Sequence, residues 1–137
     1  MSGFTLQLFD SRQGLRIDGV SSFVGEDGSG SFAILPRHTR FMTALTFGLA
    51  RFRKGDESWQ YLALPGALLY FADNVLTLFC RHFLIDSDYE QISQRLAEEL
   101  LVEEEQLHEV KESLRRMEEA MLKRMWELGQ QGIRLHE

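Results

Sequence analysis

The sequence holds a single cysteine, two prolines and, between Ala67 and Leu128, no glycine at all. A lone Cys80 excludes an intrachain disulfide, and its apolar surroundings read as those of a small buried hydrophobe rather than a reactive thiol. The pattern fits a reducing compartment. An excess of positive charge is missing too: the net charge is −6 over 137 residues. Neither half shows the basic patch with interleaved aromatics that phosphate-backbone binding needs, so a nucleic-acid partner is not expected. Long apolar runs are also absent. The longest, Tyr61 to Ala72, falls short of the roughly 20 residues that span a bilayer, and Pro65 and Gly66 interrupt it. Met1-Ser2-Gly3-Phe4 lacks a basic start followed by an apolar core, so no signal peptide is expected.

Motifs that carry chemistry are scarce. Gly25-Glu26-Asp27-Gly28-Ser29-Gly30-Ser31 is glycine-rich, but a phosphate-binding loop needs Lys and then Ser or Thr after its last glycine, and Ser31-Phe32 stand there. A turn between strands is the expected role. Asp86-Ser87-Asp88 superficially resembles the start of a calcium loop, yet the sixth position is Gln91 rather than glycine, so helix capping is expected instead. His38, His82, His108 and His136 are too scattered for metal-ligand spacing. No nucleophile elbow or triad signature is present, so no catalytic residue, metal or cofactor is assigned and the chain is not expected to be an enzyme by itself.

What is present divides in two. Nine of the eleven glycines and both prolines precede residue 67. There, short segments rich in strand formers recur every eight to twelve positions: 4–9, 14–24, 31–35, 41–46, 49–53, 59–64, 67–72 and 75–82. This spacing predicts an antiparallel β-sandwich or barrel. Gly55 in Lys54-Gly55-Asp56-Glu57, and the pair Asp73-Asn74, mark hairpin turns.

After Asp88 the period changes. Tyr89, Ile92, Leu96 and Leu100 recur at helical spacing, and a second register follows with Leu107, Val110, Leu114, Met117, Met121, Met125 and Leu128. The two registers do not join cleanly, which predicts a bend near 101–105, although nothing there favours a turn. Both an antiparallel helical hairpin and one long amphipathic helix satisfy the pattern. Gly129 is the expected stop. The boundaries are therefore 1–86 for the sandwich, 87–129 for the helical part and 130–137 for a short tail.

Charge follows the same division. Residues 1–87 balance eight acids with eight bases, whereas 88–109 carry eight acids against Arg95 alone. Residues 110–128 then supply Lys111, Arg115, Arg116, Lys123 and Arg124 against four acids. Clustered cations of this kind steer docking to an acidic surface.

The segment Gly30-Ser31-Phe32-Ala33-Ile34-Leu35-Pro36-Arg37-His38, continuing to Thr43-Ala44-Leu45 and Gly48, resembles the signature of F-type ATP synthase epsilon subunits. A second match is Ala63-Leu64-Pro65-Gly66-Ala67-Leu68-Leu69 with Asn74-Val75-Leu76-Thr77-Leu78. The resemblance implies an N-terminal β-sandwich of about ten strands followed by C-terminal helices. It also implies a non-catalytic rotor subunit, peripheral to the cytoplasmic face of a bacterial inner membrane, that couples ion flow to rotation. Its implied partners are the gamma subunit of the central stalk, the c-ring and, through the C-terminal helix, the catalytic alpha and beta subunits, whose ATP hydrolysis that helix restrains.

Carried over residue by residue, the resemblance puts Glu26, Asp27, Ser31, Arg37, His38 and Arg40 toward the c-ring. Lys111, Arg115, Arg116, Lys123 and Arg124 become the contact with the catalytic head. Ser31 stands where many members have glutamate, and Arg37 and Arg40 add charge. Ile85-Asp86 lacks the Arg-Ala that completes the family's ATP-binding motif, so no nucleotide is implied. These departures resemble a divergent branch, the alternative ATPases of sodium type, although the coupling ion is chosen elsewhere in such a complex.

Overall fold

Alternation of inward apolar and outward polar residues, interrupted by turn residues, builds nine strands in the computed structural model, which describes residues 3–136 and the side chains of residues 3–130. They are β1 (Phe4–Phe9), β2 (Gly14–Asp27), β3 (Gly30–Ile34), β4 (Phe41–Leu45), β5 (Gly48–Lys54), β6 (Gln60–Leu64), β7 (Ala67–Ala72), β8 (Val75–Phe79) and β9 (Leu84–Asp86). Nine strands stand where about ten were expected, and β9 is the one whose three residues gave no alternation to read. The order is β1-β8-β7-β4-β2-β5-β6-β9, with β3 on β2 and a further β1–β2 pairing.

Strand β2 ties the layers together. It pairs with β1 over Gly14–Val20, with β5 over Val20–Val24, the register shifting between Val20 and Ser22, and with β3 over Phe23–Asp27. Such a bulge bends a strand and lets it serve two layers. Phe4, Leu6, Leu8, Phe23, Ile34, Phe52, Leu62, Leu69, Phe71, Leu76 and Leu78 fill the space between layers and are essentially inaccessible. Each such side chain contributes about 1.5–3 kcal/mol by leaving water. Phe4 meets Phe71 edge-on at 5.7 Å.

The turns follow their residues. Asp73 and Asn74 both have positive φ, 52° and 60°, the pair of left-handed residues that a two-residue hairpin loop between β7 and β8 requires. Gly55 likewise adopts φ 51° in the β5–β6 turn. Cys80 is half-buried, its Sγ 3.6 Å from the Phe9 carbonyl, and burial raises its thiol pKa to about 11. A thiol so shifted stays protonated and behaves as the small hydrophobe expected.

Helix α1 (Tyr89–Arg95) begins at Asp88, whose carboxylate accepts from the Glu90 and Gln91 amides at 3.0 and 3.2 Å. A π-helical turn, Leu96–Leu100, follows, and α2 (Leu101–His136) continues as a single long helix. The π turn absorbs the mismatch between the two apolar registers: the Leu101 amide reaches back five residues to Leu96. Ile92 and Leu100 thereby bury completely with Ala63 and Leu84 on the outside of β6 and β9. The expected bend at 101–105 is corrected accordingly, as the adjustment lies five residues earlier and needs no turn. Gly129 is also not a stop, because α2 runs through it to His136. A glycine costs a helix only about 1 kcal/mol, and no proline follows Gly129 to end it.

One compact unit runs to Leu101 and a second begins at Val102. In the second, Leu107, Val110, Leu114, Met117, Met121, Met125 and Leu128 are all exposed. Among the described residues, no helix is long and apolar enough to cross a membrane.

Candidate partner-binding surface

Outward-facing residues of β1, β8, β7 and β4 form aligned rows. Phe9 pairs with Phe79, Phe79 with Leu68, and Leu68 with Ala44. The next row joins Gln7, Thr77, Tyr70 and Met42. Phe9 and Phe79 stack at 5.6 Å, and Met42, Leu68 and Phe79 keep 63%, 47% and 50% of their surface exposed. The outer face of an antiparallel sheet is ordinarily polar, so a continuous apolar row across four strands is the mark of a docking surface.

The residues expected to face a c-ring fall into two separate groups. Glu26, Asp27 and Ser31 surround the β2–β3 turn at one end of β3. Arg37, His38 and Arg40 lie beyond its other end, and Gly30 and Ile34 alone are about 13 Å apart along the strand. The structure does not bring the two groups together on one loop.

Hydrogen bonds tie down part of each group. Asp27 accepts from the Ser29 amide at 2.9 Å, the Ser29 hydroxyl at 2.6 Å and the Thr43 hydroxyl at 2.7 Å. These hydrogen bonds, those from Ser29 and Thr43 first, hold its carboxyl below the usual aspartate value. Glu26 is exposed, while its carbonyl accepts from the Thr46 amide at 3.0 Å. Ser31 is exposed opposite Glu26.

In the second group Arg37 has φ 64°, uncommon for a side-chain-bearing residue, and its amide donates to the Asn74 side chain at 2.8 Å. Asn74 donates in turn to the Gly3 carbonyl at 3.0 Å, so one side chain ties three segments. His38 is half-buried, with its ring 5.7 Å from Phe41 and 5.8 Å from Phe71 and its Nδ1 2.7 Å from the Thr39 carbonyl. It packs against the core edge. Arg37 and Arg40 are exposed.

Lys111, Arg115, Arg116, Lys123 and Arg124 are exposed on α2, with Arg115 3.0 Å from Glu112. At about 100° per residue they span about 220° of the helix circumference, so they do not form one face.

Sequence reasoning missed the apolar face. Its signal was present in Leu68-Leu69-Tyr70-Phe71 and Leu78-Phe79, where apolar residues occupy both faces of a strand that needs only one for the core. No group of three or more His, Cys, Asp or Glu is arranged to hold a metal among the described residues.

Residues 4–85 match the family described as ATP synthase, Delta/Epsilon chain, beta-sandwich domain. The ATP synthase epsilon chain 2 of Cereibacter sphaeroides is 30% identical over 83 residues, which is 60% of this chain and 57% of that relative's length. The fold resembles a chain in the central stalk/c-ring structure of the Tetrahymena thermophila mitochondrial ATP synthase, with TM-score 0.51, 16% identity and coverage of 58% of this chain and 64% of that one. It also resembles a chain in the OSCP/F1/c-ring structure of the Euglena gracilis mitochondrial ATP synthase, with TM-score 0.58, 14% identity and coverage of 72% and 64%. At such identities these two likenesses concern the fold.

Proposed function

We propose, from the premise that this chain belongs to the ATP synthase delta/epsilon chain family, that it is a non-catalytic epsilon subunit of the central stalk, coupling ion passage through a c-ring to rotation. The observation that carries this reading is the apolar row Phe9–Phe79–Leu68–Ala44 on the outside of β1, β8, β7 and β4. We assign it to the gamma subunit. A rigid sheet presenting aromatic and aliphatic anchors loses little entropy on docking, which suits a joint that must transmit torque.

The two pinned loops then serve the c-ring. Glu26, Asp27 and Ser31 form one contact, Arg37 and Arg40 a second, and His38 acts by bracing the second loop. Asp27 and Asn74 fix the backbone beneath, so the contacts keep their geometry under load. The exposed cations of α2 are directed toward acidic surfaces of the alpha and beta subunits, and α2 restrains ATP hydrolysis from there. In the assembled complex the subunit is peripheral to the cytoplasmic face of a bacterial inner membrane.

Co-expression with the gamma subunit tests the reading: the two purify together, and Leu68→Glu with Phe79→Glu abolishes the association while the chain stays folded. Retained association would remove the assignment of this face. Ending the chain after Leu101 is expected to raise ATP hydrolysis by the complex without loss of assembly. Unchanged hydrolysis would remove the restraining role.

A second reading has one observation in its favour, the exposed stripe from Leu107 to Leu128. It makes the chain a free-standing sandwich that self-associates through α2. A stable oligomer in light scattering that disappears on removal of α2, together with no gamma affinity, would favour it.

A further inference from the structure

On the other layer, the outer face of β2, β5 and β6 is different in character. Ala50 and Phe52 point into the core, so Arg51 and Arg53 point out of it. In the sheet Arg51 lies between Val24 and Tyr61, and Arg53 lies beside Ser22. The guanidinium carbons of Arg51 and Arg53 sit 4.5 and 4.6 Å from the centroid of the Trp59 ring. Both cations are thus within cation–π distance of the same indole ring.

Neither arginine forms an ion pair among the described residues, and Arg53 Nε is buried without a hydrogen-bond partner. No ion pair joins either arginine to Glu26, Asp56, Glu57 or Asp86 among the described residues. Asp86 is in the same row as Arg51 but two strands away, about 10 Å, and accepts from the Asp88 amide at 2.9 Å. Glu26 lines the same trough without pairing to Arg51. That trough, about 230 Å³, is walled by Val24, Leu49, Arg51, Tyr61 and Tyr89, the two tyrosines meeting edge-on at 5.3 Å.

We propose that Arg51, Arg53 and Trp59 form a docking platform for an acidic peptide segment, whose carboxylates meet the two guanidinium edges while an adjacent apolar side chain enters the trough beside Tyr61 and Tyr89. Charge complementarity selects the occupant, since two preorganised cations lack counter-charges and a planar guanidinium edge matches a carboxylate in bidentate fashion. Arg and Trp are also the side chains most enriched where binding energy concentrates. This surface lies on a different layer from the apolar row assigned to gamma, and the inference does not depend on that assignment.

The test uses the full chain carrying Trp126→Phe, which leaves Trp59 as its only tryptophan. The probe is an acetylated and amidated peptide alternating glutamate with leucine, titrated while Trp59 fluorescence is followed. A saturable change is expected, weaker at high salt because the contact is ionic. Arg51→Gln or Arg53→Gln lowers affinity about tenfold, the loss of one charge-assisted contact. The Arg51→Lys/Arg53→Lys pair, which keeps charge and loses the fork, lowers it at least about threefold. If the glutamine variants misfold by circular dichroism, the salt dependence and a glutamine–leucine probe on the unmodified platform still decide. No saturable change, equal binding of the glutamine–leucine probe, or saturation by ATP with the acidic peptide silent would each overturn the proposal.

Discussion

The unit ending at Leu101 and the unit beginning at Val102 use apolar side chains in opposite ways. In the first, Phe4, Phe23, Phe71 and the leucines around them are sealed between strands. In the second, Leu114, Met117, Met121 and Met125 repeat with equal regularity and stay more than half exposed. Periodicity alone therefore does not distinguish a core from a surface that awaits a partner. The difference lies in what each element supplies for its neighbours: strands bring partners on both edges, whereas a helix satisfies its own backbone and needs none to form.

The largest effect should come from the sealed side. Phe71→Ala removes a ring packed on Phe4 and His38 and is expected to cost about 3–5 kcal/mol in urea unfolding followed by near-UV signal. A loss below about 1 kcal/mol would show that the core is less tightly packed than described.

Asn74→Ala is next. It removes hydrogen bonds to Arg37 and Gly3 and puts alanine at φ 60°, for a cost of about 2 kcal/mol. Asn74→Gly should cost less, since it relieves the backbone term. Equal melting temperatures for the two variants would contradict that partition.

Asp27 gives a pH dependence. Its folded-state pKa is depressed by the Ser29 and Thr43 hydrogen bonds, so its contribution is present above the unfolded-state value and is lost as pH falls through the folded one. Asp27→Asn should flatten the decline in stability below about pH 4. An unchanged acid profile would count against this role.

Smallest of all should be Leu114→Ala in α2, expected below about 0.5 kcal/mol in the same unfolding experiment. A cost above about 2 kcal/mol would mean that the stripe is buried in the free chain, and the contrast between units would fail.

Much of the sandwich was legible because its local rules agree. Strands β1 and β7 fall on their predicted residues, Asp73-Asn74 turns as a two-residue hairpin loop, and Asp88 caps its helix, each settled by neighbours within a few positions. Features that depend on distant contacts were not legible. Strand β9 exists because its three residues reach the edge of β6, and the π turn forms where Leu100 must reach the layer beneath it. Gly129 read as a stop only because propensity was considered without its neighbours. Among the site residues, sequence reasoning found loops rich in charge, yet it passed over Phe9, Met42, Leu68 and Phe79 because an apolar residue in a strand is first credited to the core. The Arg51–Trp59–Arg53 arrangement required β5 to be set beside the residue that leads into β6 before it could be seen.

The proposed contact between the apolar row of β1, β8, β7 and β4 and a gamma subunit is tested most directly by calorimetric titration of the gamma subunit into the full chain and its variants. Leu68→Glu with Phe79→Glu is expected to weaken binding by about 100-fold or more, as for two central anchors, while Leu114→Glu with Met121→Glu changes it by less than about threefold. The reverse pattern, with gamma affinity lost on the helix and kept on the sheet, would contradict it.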